Sequence, residues 1–290
     1  MKATVLINRG GGSVGETLAI RKALDAAGIN SEVQVLDGGE LHEAAEKAAA
    51  DGPGLIIAGG GDGTISCVAG AVAGTKAKLG VLPLGTLNHF ARDLGLPLDL
   101  DRAAKLIAEG KTRKVDVAEV NGRVFINNSA IGVYPLMVSD RDEQQSRLGR
   151  RKQLALAIAA ARTLFRFSSR RLTLTVNDHK TRVDTPLLFV GNNDYRLELP
   201  GTGTRETLDS GELCVMVLRR KSRFGFLAAV ARSLVGHDRP TDIAELDNVQ
   251  QLRVDSRHPS LTVSLDGETA RMDTPLTYRI RPKALQVIAP

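Results

Sequence analysis

The first third of the chain alternates short, unbroken apolar runs with stretches of helical spacing. Thr4 to Ile7, Glu32 to Leu36, Leu55 to Ala58 and Lys78 to Leu82 read as strands. Runs without polar alternation suit strands of a parallel sheet, which are covered on both faces. Between them, Glu16 to Ala27 carries apolar residues at Leu18, Ile20, Ala23, Leu24 and Ala27 before Gly28, the spacing of an amphipathic helix. Glu40 to Ala50, Ile65 to Val72 and Asp99 to Glu109 (closed by Gly110) are predicted helices as well. Strand and helix in alternation predict a doubly wound, mostly parallel sheet. Near Lys114 the rhythm changes. Val115 to Val120, Asn121-Gly122 and Arg123 to Ile126 form a hairpin signal, and Leu172 to Val176, Leu187 to Val190, Leu213 to Leu218 and Leu261 to Leu265 read as further short strands. An α/β part, expected over 1–113, is thus followed by a mostly antiparallel β part, expected over 114–281.

Three glycine-bearing loops follow strands of the first part, where a doubly wound sheet binds its ligands. The middle one is Gly59-Gly60-Gly61-Asp62-Gly63-Thr64, between an apolar run and a helix start. Such a turn aims amides at an anion, and phosphate is the obvious candidate. It is not a Walker A loop, because Thr64 and Ile65 stand where Lys and Ser/Thr are needed. Asp62 makes sense beside phosphate if a cation or a substrate hydroxyl mediates, or if it caps backbone amides. The other two loops are Asn8-Arg9-Gly10-Gly11-Gly12-Ser13-Val14-Gly15 and Pro83-Leu84-Gly85-Thr86-Leu87-Asn88-His89-Phe90-Ala91-Arg92.

Composition narrows the partners. The 290 residues are 42% hydrophobic but only 3% aromatic, with no tryptophan, so base stacking is a poor binding mode. The net charge of +6 favours an anionic partner: nucleotide phosphates, an anionic membrane surface or nucleic acid, of which nucleic acid is not expected. Arg147 to Arg171 reads as a basic amphipathic helix, and Arg219 to Val235 is a second basic, partly apolar stretch. Either could lie on an anionic membrane or pack as an ordinary surface helix. Two cysteines, Cys67 and Cys214, make no disulfide framework. The chain opens on a strand rather than a signal peptide, and no apolar run approaches the ~20 residues of a membrane span. A cytosolic protein with peripheral membrane contact is expected.

Gly10, Gly12 and Gly15 also fit the dinucleotide fingerprint, with Asp37 at the end of the next strand. Read alone, this points to a nicotinamide or flavin oxidoreductase. It leaves Gly59 to Thr64 and Pro83 to Arg92 without a role, and Asn8 and Arg9 separate the strand from the glycines.

Taken with Asp266-Gly267-Glu268, the loops resemble the diacylglycerol kinase catalytic domain family, which includes bacterial soluble lipid kinases and sphingosine kinases. The motifs are Asn8 with Gly10, Gly11 and Gly12; Gly60-Gly61-Asp62-Gly63-Thr64; Pro83-Leu84-Gly85-Thr86-Leu87-Asn88; and Asp266-Gly267-Glu268. Their order and spacing match over nearly the whole chain. The resemblance implies a nucleotide domain, a C-terminal β-sandwich, a last strand near 282–290 returning to the first domain, and ATP with Mg²⁺ in the cleft. It implies nucleotide contacts from Gly60 to Ser66, Thr86 and Asn88, helped by Asn8 to Gly12. It makes Asp266, aided by Glu268, the general base on a lipid hydroxyl, with diacylglycerol or a relative as acceptor. Asp62 through water, and Asp209 at a turn where some members hold a structural magnesium, are the metal candidates. This chain departs from the pattern at Ser66-Cys67 (commonly Asn-Glu), at His89 (often Asp) and at Asp209-Ser210-Gly211 (Asp-Asp-Gly). From the residues alone, Asp266-Gly267 is an ordinary turn pair. Two rivals remain open: an NAD kinase-like enzyme, which shares the Gly-Gly-Asp-Gly-Thr loop, and a non-catalytic relative that binds lipid or nucleotide.

Overall fold

A computed structural model describes residues 2–9, 14–52, 54–132, 169–196, 204–219 and 243–290. The N-terminal part runs β1 (Lys2–Asn8), α1 (Val14–Ala26), β2 (Asn30–Leu36), α2 (Gly38–Ala50), β3 (Leu55–Gly60), α3 (Asp62–Val72), β4 (Lys78–Pro83), α4 (His89–Asp93) and α5 (Leu100–Glu109). The strands β2-β1-β3-β4 lie side by side in parallel. Val5, Ile7, Ile57 and Leu82 pack on one face against Leu24 of α1 and Ile107 of α5. Leu6, Ile56, Ala58 and Val81 pack on the other against Leu41 of α2 and Ile65 and Val68 of α3. Burial on both faces is why these strands carry no polar alternation.

The remaining described strands are β5 (Thr112–Val120), β6 (Arg123–Phe125), β7 (Asn128–Gly132), β8 (Arg170–Val176), β9 (His179–Thr185), β10 (Leu187–Asn192), β11 (Tyr195–Arg196), β12 (Thr204–Arg205), β13 (Leu213–Leu218), β14 (Ile243–Val249), β15 (Gln251–Ser256), β16 (Ser260–Leu265), β17 (Glu268–Asp273) and β18 (Leu276–Ile288). An antiparallel sheet, β14-β13-β10-β7-β16-β17, packs on the β8-β15-β18-β5 portion of the first sheet. Between them Ile131, Val190, Val215 and Val263 meet Leu174, Val254, Leu276 and Tyr278. The architecture is an N-terminal α/β domain with a mostly parallel sheet and a C-terminal antiparallel β-sandwich.

The long strand β18 joins the two parts. Its Val287 pairs in parallel with Leu79 of β4, while residues 276–279 pair antiparallel with β15. Its other edge follows β5 along most of its length. The chain positions 113/114 and 281/282 therefore both fall inside strands, β5 and β18.

The hairpin expected at Asn121-Gly122 has both residues at positive φ (47° and 82°), the backbone of a primed two-residue turn. One expectation needs correction. Arg170 and Arg171, read as closing a basic helix, instead open β8 opposite Thr185 and Asp184. Leu172 and Leu174 alternate toward the sandwich core, and this period-two burial fixes the strand. The rest of that stretch (147–168) and most of the second basic one (220–235) lie outside the described residues.

Because Leu285 of β18 is fully buried in the core that β4 and β5 share, Leu285→Ala should cost about 2–5 kcal/mol of unfolding free energy. Chemical denaturation followed by circular dichroism measures it, and a loss well under 1 kcal/mol would mean that β18 is not the element joining the two parts.

Candidate active site

The parallel register places the starts of the three loops side by side. Ile7 of β1 is opposite Gly59, and Gly60 of β3 is opposite Pro83 of β4. The first helical bond of α3 runs from Ile65 N to Gly61 O (3.1 Å). The amides of Asp62, Gly63 and Thr64 precede it, at the positive end of the helix dipole. The loops touch backbone to backbone. A side chain at Gly85 would put its first carbon 2.4 Å from Gly61 Cα. Asn88, at positive φ and buried, shapes the β4 loop: its Nδ2 donates to Pro83 O (3.2 Å) and Gly85 O (2.8 Å), and its Oδ1 accepts from Gly85 N (3.0 Å). Its side chain thus acts within its own loop. Asp62 bridges the loops, its carboxylate accepting from the amides of His89 (3.2 Å) and Phe90 (3.1 Å) at the start of α4. Of the roles open to Asp62, amide capping is the one seen, on the neighbouring loop. Through that amide, His89 holds the loop with its backbone.

The Asp266 turn reaches this place from the far end of the chain. Asp266 lies between β16 and β17 at φ 47°, held by its own amide donating to Asn128 O (2.9 Å). Its Oδ1 accepts from the amides of Asn127 (2.8 Å) and Asn128 (3.0 Å), and its Oδ2 from the amide of Ile126 (2.8 Å). The fourth donor is the Ser66 hydroxyl, one helical turn after Asp62 on α3. Burial raises the Asp266 carboxyl above its ordinary value, while Ser66 and the three amides pull it back. Glu268 completes the contact: a side chain on Gly63 would place its first carbon 2.8 Å from Glu268 Oε1. The carboxylates of the β-sandwich turn and the amides of the glycine loop therefore share one small volume.

Cys67 lies one turn after Gly63 on α3, its sulfur 3.9 Å from His42 Nδ1. Burial and the neighbouring Glu268 raise its thiol, which keeps it protonated at neutral pH. Thr86 is exposed on the β4 loop, and Asn8 ends β1 beside Leu36. Gly10, Gly11 and Gly12 lie outside the described residues. Asp37 is engaged by Arg9 (3.1 Å) and by a backbone bond to Glu40 at the start of α2.

The turn at Asp209 does not fit a structural magnesium. Asp209 is ion-paired with Arg113 (3.4 Å) and two-fifths exposed. Ser210 donates from its amide and its hydroxyl to Asn193 Oδ1 (both 2.9 Å), and Gly211 N donates to Asp116 Oδ2 (2.8 Å). The turn's donors are thus spent on Asn193 and Asp116, and its carboxylate on Arg113. Among the described residues no group of three His, Cys, Asp or Glu side chains could hold a metal. Sequence reading missed Asp116, Asn127, Asn193, Asp93 and Arg205. Arg205 is enclosed and ion-paired to Asp93 (2.6 Å), yet 112 residues separate the two, so no motif spacing announces the pair.

Two glycine substitutions separate fold from site. Gly85→Ala forces a carbon into the backbone of Gly61 and should lower Tm by several degrees, since overpacking costs about 1–3 kcal/mol. Gly63→Ala meets only the end of the Glu268 side chain, which can swing away, so Tm should hardly move. Equal Tm losses in the two variants would contradict the loop geometry.

Residues 2–120 match the diacylglycerol kinase catalytic domain, and residues 137–289 match the YegS C-terminal NAD kinase beta sandwich-like domain. A probable lipid kinase YegS-like protein of Pseudomonas syringae pv. tomato is 32% identical over 260 residues, covering 88% of this chain and 82% of its own. A crystal structure of a putative diacylglycerol kinase from Bacillus anthracis superposes over 100% of this chain and 97% of its own, with a TM-score of 0.77 and 24% identity. Yeast NADH kinase, complexed with NADH, shares the fold more distantly, at a TM-score of 0.57 and 12% identity over 100% of this chain and 84% of its own. With both halves matched in order, and with the glycine loops meeting the Asp266 turn, the chain belongs to the diacylglycerol kinase and YegS-like family of lipid kinases.

Proposed function

We propose that the protein transfers the γ-phosphoryl group of ATP to a hydroxyl of diacylglycerol or a related lipid, at an anionic membrane surface on the cytoplasmic side. The observation that carries this reading is the Asp266 carboxylate seated on Ser66 of the glycine-loop helix. Family membership makes the protein a kinase and implies ATP; the identity of the acceptor is the further step. The net charge of +6 supports an anionic surface as the place of work.

Phosphoryl transfer is mainly positioning and charge neutralisation. The amides of Asp62, Gly63 and Thr64 receive phosphate oxygens, and the close approach of Gly61 and Gly85 keeps side chains out of their way. Asn8 and Thr86 flank the same loops. Asn88 and Asp62 act by shaping them. Magnesium, when bound with the nucleotide, neutralises phosphate charge, and Glu268 beside Gly63 is the carboxylate placed to meet it or its water. The lipid hydroxyl oxygen attacks phosphorus, the bond from phosphorus to the departing ADP oxygen breaks, and the hydroxyl proton passes to Asp266 Oδ2. That oxygen has a hydroxyl partner already, Ser66. The acceptor hydroxyl takes that place or uses Ser66 as its link to the base.

Labelled ATP incubated with anionic vesicles containing a panel of lipids, with NAD, and without acceptor should label a lipid alone. Labelling of NAD alone would support the NAD kinase-like rival, and no labelling at all the non-catalytic one. Asp266→Asn should lower kcat by about 10²–10⁴ with little change in nucleotide Kd. The base must be ionised, so kcat should fall as pH drops through the raised value of Asp266, above the ordinary carboxylate value of about 4. An Asp266→Asn enzyme with unchanged kcat would end the assignment.

A further inference from the structure

The segment whose amides hold Asp266 is itself held, by Asn192 through the carbonyls of Ile126 and Asn127 (both 2.9 Å) and by the guanidinium of Arg205. The guanidinium lies fully enclosed between α4 and the sandwich. Its Nε and Nη2 donate to Asp93 Oδ2 (2.8 and 2.6 Å). Nη1 donates to the carbonyls of Ile126 (2.5 Å) and Asn192 (3.4 Å), and Nη2 also to Asn127 Oδ1 (2.9 Å). Tyr195 covers the group, its ring centre 5.6 Å from Cζ. Burying a guanidinium is costly unless it is paired and its donors are satisfied. Here the donors go to one carboxylate, to the short segment 126–127 and, at longer range, to the Asn192 carbonyl.

That segment carries the amides of Ile126 and Asn127, and next to them Asn128, which together bind the Asp266 carboxylate. Asp93 ends α4, whose first amides are capped by Asp62. Asp62 and Ser66 lie four residues apart on α3, and Ser66 closes the circuit onto Asp266. The hydrogen bonds thus run in a closed ring: α3, α4, Arg205, the 126–128 segment, Asp266 and back to α3. Resting on the kinase reading above, we propose that Arg205 is a positioning residue for phosphoryl transfer, locking the cradle of Asp266 to the helix that follows the β4 loop. It touches neither phosphate nor acceptor in this role. Its planar fork is what matters, because a point charge cannot serve Asp93, Ile126 and Asn127 at once.

Arg205→Lys keeps the charge opposite Asp93 and removes the fork. The expected result is a fall in kcat of roughly tenfold to hundredfold, the usual cost of a small misplacement at a reacting centre. KM for ATP should stay within about twofold and Tm within a few degrees, a split that loss of folded protein would not give. A kcat within about twofold of the parent overturns the proposal, and so does a fall in activity that merely follows the folded fraction. Asn127→Ala is the second variant: it leaves the ion pair intact, removes only the contact from Nη2, and should show the same split more weakly. If neither variant folds, Arg205 is a structural residue and the proposal fails. Asp266→Asn, measured alongside, keeps the two readings apart. If it is fully active, the base assignment falls and the positioning role with it. If it is inactive while Arg205→Lys is fully active, the positioning role alone falls.

Discussion

The site depends on one buried carboxylate that must be satisfied from both parts of the molecule. Asp266 takes three backbone amides from the sandwich side and one hydroxyl from α3. Without those donors its burial would cost several kcal/mol or force it to stay protonated. With them, it becomes the point at which the β-sandwich is registered against the glycine loop. The continuity of the first sheet through β18 supplies the coarse alignment of the two parts. The Asp266 cradle supplies the fine one, on the scale of single hydrogen bonds.

What each glycine and acid contributes then follows from packing rather than from motif membership. Gly85 is needed because the backbone of Gly61 is in its way, whereas Gly63 meets only the movable end of Glu268. Asp62, on the glycine loop, turns its oxygens to the first amides of α4. The turn at Asp209 is held by hydrogen bonds from Ser210 to Asn193 and from Gly211 to Asp116.

The parts legible in the sequence were the local ones. Leu55 to Thr64 announces strand, turn and helix because each of its cues lies within a few residues of the next. The parallel strands were readable because burial on both faces leaves an unbroken apolar run. The strands missed outright in the second half include β9, β14 and β17, each at the edge of its sheet and largely exposed. An edge strand with polar residues on both faces carries little periodicity. The partners of Asp266 were illegible for another reason: they lie 138 to 200 residues away, and three of them are backbone amides, which no side-chain motif can encode. Arg205 and Asp93 are ordinary charged residues until the fold brings them together and dries them.

The most direct test of this account is the titration of one carboxyl. In a protein carrying ¹³C-labelled aspartate, with Asp266 assigned by difference from Asp266→Asn, the carboxyl shift can be followed against pH in the parent and in Ser66→Ala. The Ser66 hydroxyl donates to the charged form and so lowers the value, whereas burial raises it. The account predicts a titration above the ordinary range of about 4 in the parent and higher still once the hydroxyl is gone. An Asp266 that titrates identically in the two proteins would mean that α3 and the sandwich turn do not meet at this residue, and that the site is not assembled as described.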